Sequence, residues 1–195
     1  MKTPDMLYAL QPVINAFDKL SIPYCIGGSV ASSLYGIART TLDIDIVADL
    51  QLQHIPLLIK ELGKSYYIEE SMIRNAINNS SSFNLIHFET SMKIDIFILK
   101  NIPYDEESFK RRIKDILDES INREFFFTSP EDIIINKLQW YEMGEKISER
   151  QWLDVLGVIK VQGESLDKNY LQLWSKKLEI FDLLTKAFAD SGIQL

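Results

Sequence analysis

Cysteine is nearly absent. The 195-residue chain has one, Cys25, so no intramolecular disulfide framework holds it together. A single thiol fits a reducing compartment, and a cytoplasmic location is the expectation. Cys25 stands in the apolar run Tyr24-Cys25-Ile26, where a small buried hydrophobe is the ordinary role. Histidine is scarce too. His54 and His87 have no partner at metal-ligand spacing, so both read as structural or surface residues. No run reaches the roughly 18 apolar residues of a membrane span. The start Met1-Lys2-Thr3-Pro4-Asp5 lacks a signal peptide's apolar segment. No membrane partner is therefore expected.

Excess positive charge is missing as well. Lysine and arginine number 21 against 28 acidic residues, a net charge of −7. Broad, sequence-independent binding to nucleic acid depends on many cationic contacts to phosphate, and this balance argues against it. The densest basic cluster is Lys110, Arg111, Arg112 and Lys114, surrounded by Asp105, Glu106, Glu107, Asp115 and Asp118. It reads as a solvated amphipathic face, and a contact with a polyanion has no support beyond the cluster itself. What is present is ordinary for a soluble globular protein: 46% apolar and 25% charged residues. The length suits one generous domain, or a core with a helical appendage.

Patterning along the chain is clear. Met6, Leu7, Leu10, Val13, Ile14, Phe17 and Leu20 recur at helical spacing, which predicts a helix over 5–19 after the start signal Thr3-Pro4-Asp5. Pro23-Tyr24-Cys25-Ile26 reads as a short buried strand running into Gly27-Gly28. A helix over 29–35 follows, ending near Gly36. Asp43 to Val47 predicts a strand, and Ile55 to Leu62 a helix stopped by Gly63. Tyr66-Tyr67-Ile68 predicts a strand, then a short helix near 70–77, and the polar run 78–82 a loop. Phe83–Phe88 and Lys93–Leu99 read as two strands joined at Glu89-Thr90-Ser91. Residues 105–128 are ambiguous, a helix followed by strands that end in Phe125-Phe126-Phe127. At Ser129-Pro130-Glu131-Asp132 the character changes. A serine N-cap, proline at the first helical position and acids in the first turn make a strong helix start. Helices are expected over 130–143, 148–160, 167–177 and 178–190. The fold class is thus α/β: a mixed sheet with flanking helices over residues 1–128, then a C-terminal helical bundle over 129–195.

The chemistry concentrates between residues 27 and 46. Gly27-Gly28-Ser29 is a turn that opens a helix, where free N–H groups and the positive end of the dipole suit a phosphate. Asp43 lies fourteen residues after Ser29, in Asp43-Ile44-Asp45-Ile46. Residues i and i+2 of a strand project to one side, so Asp43 and Asp45 point together while Ile44 and Ile46 face the core. Convergent carboxylates attract a hard cation, and Mg²⁺ binds through one or two of them plus substrate phosphates. A two-metal site needs more, and Lys93-Ile94-Asp95-Ile96-Phe97-Ile98 supplies Asp95, the only acid in an apolar strand. Buried without a partner, such a carboxylate is costly, which calls for a metal or a cationic neighbour. Each part alone has a bland explanation, a solvated strand face or a common turn. All three in this order, with Arg39-Thr40-Thr41 between, are far more specific.

This set resembles the polymerase-β-type nucleotidyltransferase superfamily. Ser129 to Leu138, followed by Glu149-Arg150-Gln151-Trp152-Leu153-Asp154-Val155, is similar to its AbiEii-like branch, which includes toxins of type IV abortive-infection systems. The resemblance spans about residues 20–160. It implies a minimal nucleotidyltransferase sheet, a helical bundle after it, and an active site between the two. It implies an Mg²⁺-dependent enzyme with two ions that moves NMP from an NTP substrate to an acceptor. Asp43 and Asp45 would bind Mg²⁺, and Asp95 would ligate the catalytic metal or act as base. Gly27, Gly28 and Ser29 would hold the β- and γ-phosphates. Lys137, Arg150 and Asp154 match residues that face the cleft in AbiEii-like proteins. Arg150 and Asp154, four apart, would pair on one helix face. Lys137 either contacts a phosphate or carboxylate or extends to solvent. Arg39 either binds phosphate or acceptor or pairs with Asp43, and Thr40 and Thr41 either cap or position the metal strand. The acceptor stays open among tRNA, protein and a small molecule, and an antitoxin partner belongs to the toxin version. Extra basic residues common before the last Asp in that branch are missing beside Arg150, which counts most against tRNA.

Overall fold

The computed structural model describes residues 3–118 and 123–195. The chain divides into two compact units, one of Met1–Gly27 with Thr40–Phe127, the other of Gly28–Arg39 with Thr128–Leu195. A division at residue 128 alone differs from this by the segment 28–39.

The first unit is built on a seven-stranded mixed sheet of β1 (Tyr24–Ile26), β2 (Asp43–Ala48), β3 (Tyr66–Tyr67), β4 (Ser82–His87), β5 (Lys93–Ile98), β6 (Ile113–Ile116) and β7 (Glu124–Phe127), in the order β3-β4-β5-β2-β1-β7-β6. The pairs β2–β5 and β1–β7 are parallel, and the rest are antiparallel. Strict alternation makes the central strands. Ile44 and Ile46 of β2 and Ile94 and Ile96 of β5 are fully buried, and each contributes about 1.5–3 kcal/mol relative to exposure. The residues between them look the other way, which is where the acids are. Helix α1 (Thr3–Lys19) is tied to the sheet by the Tyr66 hydroxyl, which donates to the Ala9 carbonyl at 2.6 Å, and by Phe17 against Tyr24.

Most expected elements form, with informative differences. Gly63 does end the helix Ile55–Leu62, by space and not by a left-handed turn. Its φ is −62°, and a Cβ there would lie 2.7 Å from the Ile59 carbonyl oxygen. The loop expected over 78–82 shrinks to 79–81, since Asn78 completes the helix Glu70–Asn78 and Ser82 opens β4. The ambiguous stretch resolves into a helix, Pro103–Lys110, then β6 and β7, with 119–122 outside the described residues. The basic cluster there is no single helix face. Its helix stops at Lys110, and Arg112 lies over the rings of Phe109 and Phe126 at 4.5 and 5.0 Å, with Lys114 over Phe126 at 5.3 Å. Cations there rest on aromatic faces at the sheet edge.

The second unit contains α2 (Gly28–Tyr35), α6 (Pro130–Met143), α7 (Glu149–Gln162), α8 (Lys168–Lys177) and α9 (Phe181–Ser191), with α3 to α5 being the first unit's helices Ile55–Leu62, Glu70–Asn78 and Pro103–Lys110. Ser129 caps α6 as expected, accepting from the Asp132 N–H and donating to the Asp132 carboxylate at 2.7 Å. Tyr170 of α8 donates to the other Asp132 oxygen at 2.6 Å, which locks α8 to the start of α6.

Residues 28–39 join these helices because α2 buries Val30 and Ala31 and packs on α6 and α7. Two glycines permit the approach. A Cβ on Gly36 would lie 2.8 Å from both the Ser32 oxygen and the Val158 nitrogen, and one on Gly157 would lie 3.1 Å from the Ile37 nitrogen. Gly36→Ala should therefore lower the urea unfolding midpoint, at a cost of about 1–3 kcal/mol for overpacking against backbone that cannot move aside.

Candidate functional site

The carboxylates of the first unit converge through strand register. In the parallel pair β2–β5, Asp45 stands directly beside Asp95, and Asp43 beside Lys93. Asn84 of β4 stands opposite Asp95 on its other side. Asp43, Asp45, Asp95, Lys93 and Asn84 thus share the sheet face turned away from the isoleucine core. The register puts the three acids on one face, with Asp43 beside Lys93 and not beside another acid.

A cation already sits among them. Lys93 Nζ lies 2.8 Å from Asp95 Oδ2 and 4.0 Å from Asp43 Oδ1. The Asp95 hydrogen bond, with the charges of Asp95, Asp43 and Asp45, holds this ammonium above the usual lysine range against the opposing pull of burial. Among the described residues, no three acidic, histidine or cysteine side chains are set as they stand to hold a metal ion. The side chains of Asp43, Asp45 and Asp95 offer only carboxylate oxygens, the donor type that suits a hard divalent cation.

The glycine turn begins at the end of β1, beside β2. Gly27 follows β1 directly, is buried, and its N–H donates to the Asp45 carbonyl at 2.9 Å. Gly28 has φ +55°, a left-handed conformation that a side chain would strain, and it opens α2. The first turn of α2 has no acidic residue to repel an anion. Thr41 caps the start of β2: its hydroxyl donates to the Asp43 carbonyl at 3.1 Å and accepts from the Asp43 N–H. Thr40 is exposed.

In the second unit a different cluster forms around Asp154. Arg39 grips it with both arms, Nε to Oδ1 at 2.7 Å and Nη2 to Oδ2 at 2.8 Å. Lys137 Nζ reaches Oδ2 at 2.7 Å and Gln151 Oε1 at 3.0 Å. Arg39 Nη2 also donates to the Ser29 hydroxyl oxygen at 2.5 Å. The side chains of Asp154 and Lys137 are only 5% and 6% exposed. Burial pushes the Asp154 carboxyl up, but hydrogen bonds from Arg39 and Lys137 and their charges outweigh it and hold the group below the usual carboxylate range.

The open alternatives narrow here. Of the two readings of Lys137, the carboxylate contact is the one that forms: it is buried on α6 and pairs with Asp154. Arg39 pairs with Asp154, because residues 28–39 pack on α7. Arg150 does not pair with Asp154. It lies exposed in the first turn of α7, and the Asp154 oxygens are taken by donors from the buried side.

No protein-family profile matches this chain, and no curated protein sequence matches it. Solved structures do. The lincosamide antibiotic adenylyltransferase LnuA, in its lincomycin-bound crystal structure, is 18% identical with a TM-score of 0.50, over 83% of this chain and 98% of that one. The antibiotic-resistance factor ANT(2″)-Ia, in a solution structure, is 14% identical with a TM-score of 0.59, over 95% and 99%. An antigenic nucleotidyltransferase-like protein from Paracoccidioides brasiliensis is 14% identical with a TM-score of 0.51, over 92% and 91%. The chain has the nucleotidyltransferase fold.

Within that fold, sequence reasoning missed Lys93, Asn84 and Gln151. Period-two alternation already places Lys93 on the face of Asp95, two residues on. Asn84 and Gln151 carry no such signal, since each becomes relevant only through a neighbouring strand or helix.

Proposed function

We propose that this nucleotidyltransferase-fold protein transfers a nucleoside monophosphate from an NTP to an acceptor hydroxyl or phosphate. The supporting observation is the register of β2 and β5, which sets Asp45 beside Asp95 and Asp43 on the same face. Asp43, Asp45 and Asp95 would hold Mg²⁺, which when bound neutralises charge on the phosphates and the reacting oxygens. The acceptor oxygen bonds to the α-phosphorus, the bond from it to the bridging oxygen of the β-phosphate breaks, and pyrophosphate leaves. Asp95, as ligand or as base, is the residue assigned to the acceptor's proton. Gly27, Gly28 and Ser29 bind the β- and γ-phosphates through N–H groups and the hydroxyl at the start of α2. Arg39 holds the Ser29 oxygen as acceptor, so the hydroxyl proton is left to donate. Asp154, charged and held by Arg39 and Lys137, fixes that arginine, and the exposed Arg150 and Thr40 would make outer contacts with nucleotide.

A small hydroxyl-bearing acceptor is the favoured version, because LnuA and ANT(2″)-Ia are matched over nearly their whole lengths and are antibiotic-directed proteins by name. The AbiEii-like version has tRNA or protein as acceptor and an antitoxin as partner. The test is incubation with each α-labelled NTP together with total RNA, lysate protein or a panel of hydroxyl-bearing antibiotics. Label is expected in the small-molecule pool. Label in RNA or protein supports the toxin version, in which expression slows growth and Asp45→Ala relieves it. A second reading, a nucleotide-binding module without catalysis, is favoured by Lys93 standing among the carboxylates. Stabilisation by Mg²⁺–NTP with no pyrophosphate released across all acceptors would establish it.

A further inference from the structure

We infer that Lys93 exchanges partners: its ammonium neutralises Asp95 and Asp43 while no metal is bound, and it turns to the triphosphate once a divalent ion holds those carboxylates. This rests on the reading of Asp43, Asp45 and Asp95 as metal ligands.

Position and reach are the grounds. Lys93 and Asp95 are i and i+2 on β5, so they project from the same face, and Lys93 is the register partner of Asp43 across the parallel pair. The ammonium therefore stands within reach of two of the three carboxylates, at 2.8 Å from Asp95 and 4.0 Å from Asp43. Two groups of like sign compete for one position. A divalent ion held by Asp95 Oδ2 takes the place Lys93 occupies on that oxygen. Nothing traps the lysine, since its side chain is 42% exposed and its flexible stem leads to a strongly hydrated charge. Three carboxylates and one ammonium sum to a charge of about −2, whereas with two divalent ions bound the same set becomes positive. An ammonium released at that moment is repelled by the ions and attracted to the anionic phosphates that accompany them. Asn84, also on this face, is neutral and offers no substitute for either task.

The experiment measures Mn²⁺ binding to the full chain by electron paramagnetic resonance without nucleotide, then binding of a non-hydrolysable NTP analogue at saturating Mn²⁺. Lys93→Met should bind bare Mn²⁺ about tenfold more tightly, the scale of removing one competing charge near the surface, and should bind the analogue about tenfold more weakly. Lys93→Arg should stay near wild type in both. Unchanged Mn²⁺ affinity in Lys93→Met would overturn the competition, and unchanged analogue affinity would overturn the exchange. If neither wild type nor Lys93→Met binds Mn²⁺ while both remain folded, the metal reading falls and the inference with it. Equal binding by both leaves the metal reading standing and removes only the inference.

Discussion

Asp154→Ala is expected to lose about 3–5 kcal/mol of folding stability, the cost of leaving a buried charge without its partner. Lys137 is 6% exposed, and Asp154 and Gln151 are among its contacts. Without the carboxylate its buried positive charge loses this ion pair, and the Arg39 guanidinium loses two hydrogen bonds. Urea denaturation measures the loss. The double change Asp154→Leu with Lys137→Met should cost much less than the single one, because an apolar pair replaces a buried ion pair at little penalty. The same group sets a pH dependence. Its folded pKa is depressed, so between the two values the unfolded chain binds more protons and stability rises with pH. The contribution is complete above the unfolded value of about 3.9 and is lost as pH falls through the folded value. Asp154→Ala should flatten that acid limb.

Asp45→Asn is expected to remove at least about a thousandfold of the rate of pyrophosphate release, the scale of losing a preorganised charge at a reacting phosphoryl centre. Asp45 stands beside Asp95 in register, and its own backbone carbonyl accepts the Gly27 N–H. Asparagine keeps the shape and removes the charge. The Asp45 side chain lies on the face opposite the isoleucine core, so the melting temperature should change little. Activity lost together with cooperative folding would assign Asp45 to stability and count against its catalytic role. Asp95→Asn should behave alike in rate, and it also frees Lys93.

The two variants differ in how visible their sites are from sequence. Asp43 and Asp45 are legible because strand geometry is local: alternation at period two sorts acids from isoleucines without reference to any other segment. The same holds for the Ser129 cap of α6 and for the turn at Gly27-Gly28-Ser29. The network around Asp154 is the opposite case. Arg39 is 115 residues away, and four-residue spacing pointed to Arg150, a neighbour that stays in solvent. Helical spacing specifies which residues share a face, and says nothing of which face another element covers.

By itself, the sequence determined the elements, the two acidic strands, the glycine-serine turn and the helical C-terminal stretch, since propensity, capping and periodicity act over a few residues. Tertiary structure alone decided that β2 and β5 run parallel in the register that sets Asp45 beside Asp95. It also decided that Lys93 stands among the acids, and that residues 28–39 pack on α7 through Gly36 and Gly157. These depend on close packing between segments far apart in the chain. The free energy there comes from mutual burial and paired charge, and no local pattern encodes the partner.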